Sequence, residues 1–109
     1  MWWGADLPVW RSLPDGVVLL HNGLGVVIHN DTKLLGPVLI GPNVCIGDAH
    51  VGDNRPPTIG SGVAIGVGAA ILGPVLIGDG AVIGANAVVL RDVPPKHLAI
   101  GNPAHVRPI

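Results

Sequence analysis

The sequence predicts an all-β domain, a parallel β-helix of six-residue repeats, on three observations. From Ile59 an aliphatic residue returns at every sixth position, through Ile65, Ile71, Ile77, Ile83 and Val89, and upstream the same phase runs through Ile28, Leu34, Ile40 and Ile46. Glycine follows that residue at Gly60, Gly66, Gly78 and Gly84. The composition, 17 Gly and 11 Pro in 109 residues with no Phe and no Tyr, argues against long helices and against an aromatic-centred core. A period of six fits neither a helix nor an exposed strand. It arises when each repeat supplies one short strand and one turn, and three repeats close a coil of about 18 residues whose recurring aliphatic side chain stacks on its equivalent one coil away. The chain then holds about five coils in a single domain.

Taken in order, residues 1–27 form an opening coil, 28–46 and 59–93 regular repeats, 47–58 a loop, and 94–109 a closing segment. The loop is located by phase, because the step from Ile46 to Ile59 is thirteen positions and not twelve. The heptapeptide LGPVLIG, at 35–41 and again at 72–78, carries the same remainder: its copies stand thirty-seven positions apart, against thirty-six for two coils. The reading that follows is one corner repeated two turns on, with a single residue added and one repeat replaced by a protruding loop. A second irregularity lies at LLHNGLGVVI, where the phase is lost upstream of Ile28 and a histidine stands among Leu and Gly. Departures from a regular scaffold are where chemistry is expected.

Charge and composition exclude several classes. The formal net charge is −1 and the Lys and Arg residues are scattered, so no basic stripe for nucleic acid is expected. No apolar run reaches the roughly 18 residues of a membrane span, and the N-terminus has no charged lead, so a cytoplasmic protein with no membrane partner is expected. Cys45 is the only cysteine and reads as a small buried hydrophobe.

The run IGSGVAIGVGAAILGPVLIGDGAVIGANAVVLRDVPPKHLAIGNPAHV, with IGANAVV, DVPP and GNPA in order, resembles the closing motifs of hexapeptide acyltransferases. The chain looks most like the catalytic half of serine acetyltransferases and related sugar O-acetyltransferases. A looser match runs from ADLPVW through LLHNGLG and VIHND, so the resemblance covers nearly all of these 109 residues. It implies a left-handed coil, against the usual crossover hand. It also implies transfer of an acetyl group from acetyl-CoA to a hydroxyl of a small acceptor, with no resident metal. His21 matches the catalytic histidine, a suitable base near neutral pH. Asp6, a little less than one coil upstream, matches the aspartate that orients that imidazole. Gly66 with Val67, and Gly84 with Ala85, match positions that contact the pantetheine arm, although Gly after the inward residue is also plain repeat grammar. Lys96 or Arg107 would meet a phosphate of the coenzyme.

The departures bear on the acceptor. Where serine acetyltransferases carry an aspartate directly before the catalytic histidine, this chain has Leu20, and of their Arg-His pair before a Pro it keeps only Arg55, before Pro56. Arg55 remains a candidate for an anionic group on the acceptor; His50 has the wrong spacing to replace the lost imidazole. A sugar or other hydroxyl acceptor is therefore expected ahead of strict serine specificity. A short apolar prism buries little surface alone, which together with the resemblance implies a homotrimer with sites between subunits. Two other classes stay open: a catalytically silent scaffold, and a zinc enzyme of the γ carbonic anhydrase type, whose histidine spacing the chain lacks. His29, His97 and His105 read as exposed or capping residues.

Overall fold

The computed structural model describes residues 16–29, 31–49 and 55–109; Asp6 and His50 lie outside the described residues. All ten residues of the six-residue register are buried, none more than 8% exposed. Each strand of the first coil lies on a different face: β1 (Val17–Leu19), β2 (Val27–Ile28) and β3 (Lys33–Leu34). The second coil repeats the order with β4 (Val38–Ile40), β5 (Cys45–Gly47) and β6 (Thr58–Ile59), and the third with β7 (Val63–Ile65), β8 (Ala70–Leu72) and β9 (Leu76–Ile77). β10 (Val82–Ile83) and β11 (Val88–Val89) begin a fourth, whose third face is reduced to a bridge between Ile77 and Val93. The chain ends in β12 (His97–Gly101) and β13 (Ala104–Pro108).

Pairing runs vertically. The first face orders β1-β4-β7-β10-β12-β13, the second β2-β5-β8-β11 and the third β3-β6-β9, all parallel except the last pair of the first face. Equivalent aliphatic residues therefore stack, as in Leu19, Ile40, Ile65, Ile83 and Ala99 on the first face. The strands alternate inward and outward, so each coil contributes a few fully buried β-branched side chains to one apolar column. Among the described residues three coils close fully, fewer than the expected five. Residues 97–108 fold back as a hairpin along the first face, from His97 opposite Pro108 to Gly101 opposite Ala104, with a cis peptide at Asn102–Pro103, instead of beginning further turns.

The heptapeptide reading is corrected by the register. Ile28 pairs with Ile46 and Ile59 with Ile77, one regular coil on, whereas Ile40 pairs with Ile65 and Leu34 with Ile59 across a longer step that spans the loop. The loop therefore adds seven residues to one coil. The first copy of LGPVLIG lies on the first face in β4 and the second on the third face in β9, so they are not the same corner two turns apart. Seven residues added to five repeats and one residue added to six give the same separation, and a six-residue period is blind to the difference.

The corner between the first and second faces has its own vertical order. Gly25, Asn43, Gly68 and Asn86 occupy its left-handed position, with φ of 69°, 59°, 71° and 59°. Only Gly and, less readily, Asn or Asp adopt that conformation routinely. The two types alternate for a packing reason as well: a Cβ at Gly25 would collide with the Asn43 amide, and one at Gly68 with that of Asn86. Among the described residues no helix is long and apolar enough to cross a membrane.

Candidate functional site

The same corner carries the candidate base. The step from Leu19 to Ile28 is nine positions, against six from Ile40 to Ile46 and from Ile65 to Ile71, and the added length forms a 3-10 turn, Leu20–Gly23. His21 (φ 52°, ψ 41°) and Asn22 (φ 60°, ψ 22°) are both left-handed inside it. For L-residues that conformation costs about 1–2 kcal/mol each, and such strain persists where the surroundings fix it and is concentrated at functional sites. The turn is fixed below by the Leu24 N–H donating to the His21 carbonyl (3.3 Å) and by the Asn43 N–H donating to the Leu24 carbonyl (2.8 Å). His21 is exposed, at the head of a groove of about 620 Å³.

One wall of the groove is the corner stack itself: Leu20 and His21, then Gly41 and Pro42, then Gly66 and Val67, then Gly84 and Ala85. Its floor is the outward row of the first face, where Leu39, Ala64 and Val82 are register partners. The structure thus brings His21 together with all four residues expected at the coenzyme. The small residues are required by the fold, since a Cβ at Gly66 would lie 2.7 Å from the Ala85 nitrogen and one at Gly41 2.8 Å from that of Val67. Glycine here lets one coil settle on the next. The N–H groups of Gly41, Gly66 and Gly84 are committed to the carbonyls of Ile65, Ile83 and Ala99 at 2.8–2.9 Å, whereas Val67 and Ala85 donate no backbone hydrogen bond among the described residues. Sequence reasoning missed Leu39, Ala64 and Val82; the signal was present, each being an outward position one residue before a register isoleucine.

Arg55 is not brought to this groove. It is exposed, at the corner between the second and third faces, just before β6. His29 is more enclosed than expected, with 21% of its side chain accessible. Its Nδ1 accepts the Asp31 N–H (3.0 Å), which puts the ring proton on Nε2, 3.3 Å from Asp48 Oδ1 at the start of the loop. His97 Nδ1 lies 2.9 Å from the Pro95 carbonyl, and His105 is exposed. Lys96 and Arg107 do not line the groove: Lys96 turns the corner between the third and first faces, and Arg107 lies on β13 beside a smaller cavity that shares Val82 with the groove's floor. A further cavity of about 630 Å³ opens between the last coil and the hairpin, lined by 89–93 and 103–106. It has no glycine stack, and its carboxylate, Asp92, is occupied in accepting the Leu76 N–H (2.8 Å). Among the described residues no three His, Cys, Asp or Glu side chains converge to hold a metal ion.

Fold, repeat and groove define a hexapeptide-repeat protein, and the family described as bacterial transferase hexapeptide (six repeats) matches residues 56–91. The particular relatives are serine acetyltransferases. The chain is 45% identical over 107 residues to the serine acetyltransferase of Escherichia coli K12, covering 94% of this chain and 37% of that protein. It superposes on the Neisseria gonorrhoeae serine acetyltransferase in complex with serine with a TM-score of 0.76 and 42% identity, over 83% of this chain and 36% of that one. For the Brucella abortus enzyme in complex with coenzyme A the TM-score is 0.62 and the identity 35%, over 84% of this chain and 33% of that one. The chain spans well under half of the length of these relatives.

Proposed function

We propose that this chain is an acetyl-CoA-dependent O-acetyltransferase domain acting on a hydroxyl of a small acceptor. The observation that carries the proposal is the single groove in which His21 heads a ladder of small corner residues. The relatives complexed with coenzyme A and with serine support it. The thioester arm lies along the corner, where the N–H groups of Val67 and Ala85, one coil or about 4.8 Å apart, donate to its amide carbonyls. The imidazole of His21 takes the acceptor's hydroxyl proton as that oxygen attacks the thioester carbonyl. The carbon–sulfur bond then breaks, and the thiolate recovers the proton from the imidazolium, giving the acetyl ester and free coenzyme A. Asp6 holds the imidazole tautomer and stabilises the imidazolium. Arg55, remote from His21 within one chain, reaches an acceptor only across a subunit boundary, and the exposed apolar row of the first face, with Val18 49% and Leu39 41% accessible, is consistent with a homotrimer. The proposed setting is the cytoplasm.

Two measurements test the proposal. Calorimetry with acetyl-CoA reports on the groove, and absence of binding would return the chain to the scaffold reading. Release of coenzyme A across serine, homoserine and sugar acceptors reports on the chemistry. Turnover should fall by about 10²–10⁴ in His21→Ala, and unchanged turnover would remove His21 from the mechanism.

A further inference from the structure

Leu24, Pro42, Val67 and Ala85 hold the same place on the groove's corner, because the N–H groups of Asn43, Gly68 and Asn86 donate in turn to the carbonyls of Leu24 (2.8 Å), Pro42 (2.9 Å) and Val67 (2.8 Å). They differ in what they offer outward. The Leu24 N–H is spent on the His21 carbonyl, and Pro42 has no N–H. The neighbours of Pro42 on the second coil are committed as well, Gly41 to the Ile65 carbonyl (2.9 Å) and Asn43 to that of Leu24. The corner therefore offers the groove two donors, Val67 and Ala85, and stops at Pro42, one coil short of His21.

Two rungs suit the arm of coenzyme A. Its two amide carbonyl carbons are four bonds apart, about 5 Å when extended, against a coil rise of about 4.8 Å. An even number of bonds also points both oxygens to one side. The thioester carbonyl comes five bonds later, level with Pro42, and in an extended arm its oxygen turns away from the corner, so it needs no donor there. A ladder continued through the second coil would accept the same arm one coil higher, with the thioester carried past Pro42 into the His21 turn.

We infer that Pro42 is a positioning residue for the thioester: by withholding a donor on the second coil it confines the arm to the register that stops the reacting carbonyl beneath His21. The inference rests on the acetyltransferase reading of the groove and adds to it the residue that fixes the coenzyme's height. Pro42 also suits the corner as such, since Pro before a left-handed Asn is a favoured turn pair, so stiffening and register have to be separated.

The experiment moves the ladder by one coil. Ala85→Pro removes the lower rung, and the fold has a precedent for it: positions 41–43 already carry Gly-Pro-Asn where 84–86 carry Gly-Ala-Asn, and Gly78 stands over Pro95 as Gly66 does over Ala85. Calorimetry should show acetyl-CoA binding about 2–10-fold weaker in this variant, the worth of one hydrogen bond. Adding Pro42→Ala supplies an upper rung and should return affinity to within about twofold of the wild type. Release of coenzyme A to the fastest acceptor of the serine, homoserine and sugar panel should nevertheless stay below about a tenth of the wild-type rate, because the thioester is misplaced. In Pro42→Ala alone, acetyl-CoA should slow hydrogen exchange of the new N–H at position 42. Stiffening of the turn predicts neither the recovered affinity nor that protection. Affinity not recovered by the second substitution, turnover recovered along with it, or an unprotected N–H at position 42 would each overturn the inference alone. Absence of acetyl-CoA binding by the wild type, or binding untouched by Ala85→Pro, would instead defeat the proposed placing of the arm, and the inference with it.

Discussion

His21 and Ala85, distant in sequence and on different coils, stand on one corner of the solenoid and line one groove. The corner is regular from Gly41 downward and is expanded only at the top, where the added turn puts His21 at φ 52°. Below it the left-handed positions of the corner are held by Gly25, Asn43, Gly68 and Asn86, residue types that adopt that conformation more readily than histidine, so the strain at His21 separates stability from activity. Glycine populates that conformation freely and alanine does not, so His21→Gly should be more stable than His21→Ala by about 1 kcal/mol. Both should lose turnover alike. Urea midpoints of the two variants, compared beside their rates, check this, and equal midpoints would mean that the turn relaxes.

The Gly66 corner tests whether coil stacking and the groove are one feature. A methyl group at position 66 would lie 2.7 Å from the Ala85 nitrogen and 3.0 Å from its Cα, both backbone atoms that no side-chain rotation can clear. Gly66→Ala should cost about 1–3 kcal/mol through overpacking, and it should weaken acetyl-CoA binding by displacing the Ala85 amide. Thermal melts and calorimetry on the same sample measure both effects. Lost affinity with unchanged stability would place the methyl group in the ligand's path and not in the coil's.

Much of the fold was legible because a six-residue repeat states its inward positions directly, and all ten of them are buried. The corner placing of Gly66, Val67, Gly84 and Ala85 was legible for the same reason, being displaced from the register by one or two, whereas their choice as coenzyme contacts came from the family resemblance and not from the period. Leu39, Ala64 and Val82 were less visible, since an outward aliphatic residue on a strand looks like any other until the strands are stacked. The C-terminal hairpin was not foreseen: GNPA punctuates the sequence between β12 and β13, but reversal along the same face depends on β10 offering an edge. His29 could not be paired with Asp48 from sequence, because their separation shows itself as nearly one coil only after the faces are known.

Cys45 lies outward on the second face between Val27 and Ala70, and burial by its neighbours raises its thiol pKa above the ordinary value. Thiolate is the reactive form, so iodoacetamide should modify native Cys45 at pH 8 at least about tenfold more slowly than the urea-unfolded chain. The linkage has a definite sign. With the folded pKa above the unfolded one, the unfolded chain loses its proton first as pH rises, so the thiol's contribution is intact below the unfolded pKa and declines above it. The denaturant midpoint should therefore drop further between pH 8 and pH 10 in the wild type than in Cys45→Ala. Parallel curves would show that the native thiol ionises as freely as the unfolded one.

The seven-residue reading of the loop makes the sharpest demand on the fold. Leu34 pairs with Ile59 and Ile46 with Ile71, each across one coil plus the insertion. Removing 48–54 should then leave Ile46 and Ile59 six apart and the corner complete, with Pro56 standing where Pro74 stands one coil on. That deletion should fold cooperatively. Its stability should lie within about 1 kcal/mol of the wild type, because loop length changes closure entropy only slowly and the lost His29–Asp48 pair is a partly exposed one. The rejected reading, a repeat replaced by a loop with one residue over, predicts the opposite, since the same deletion would remove the segment that closes a coil. Circular dichroism and a urea melt of the deletion variant decide between them: a cooperative transition with native strand content supports the seven-residue insertion, and a broad or absent one would restore the single added residue.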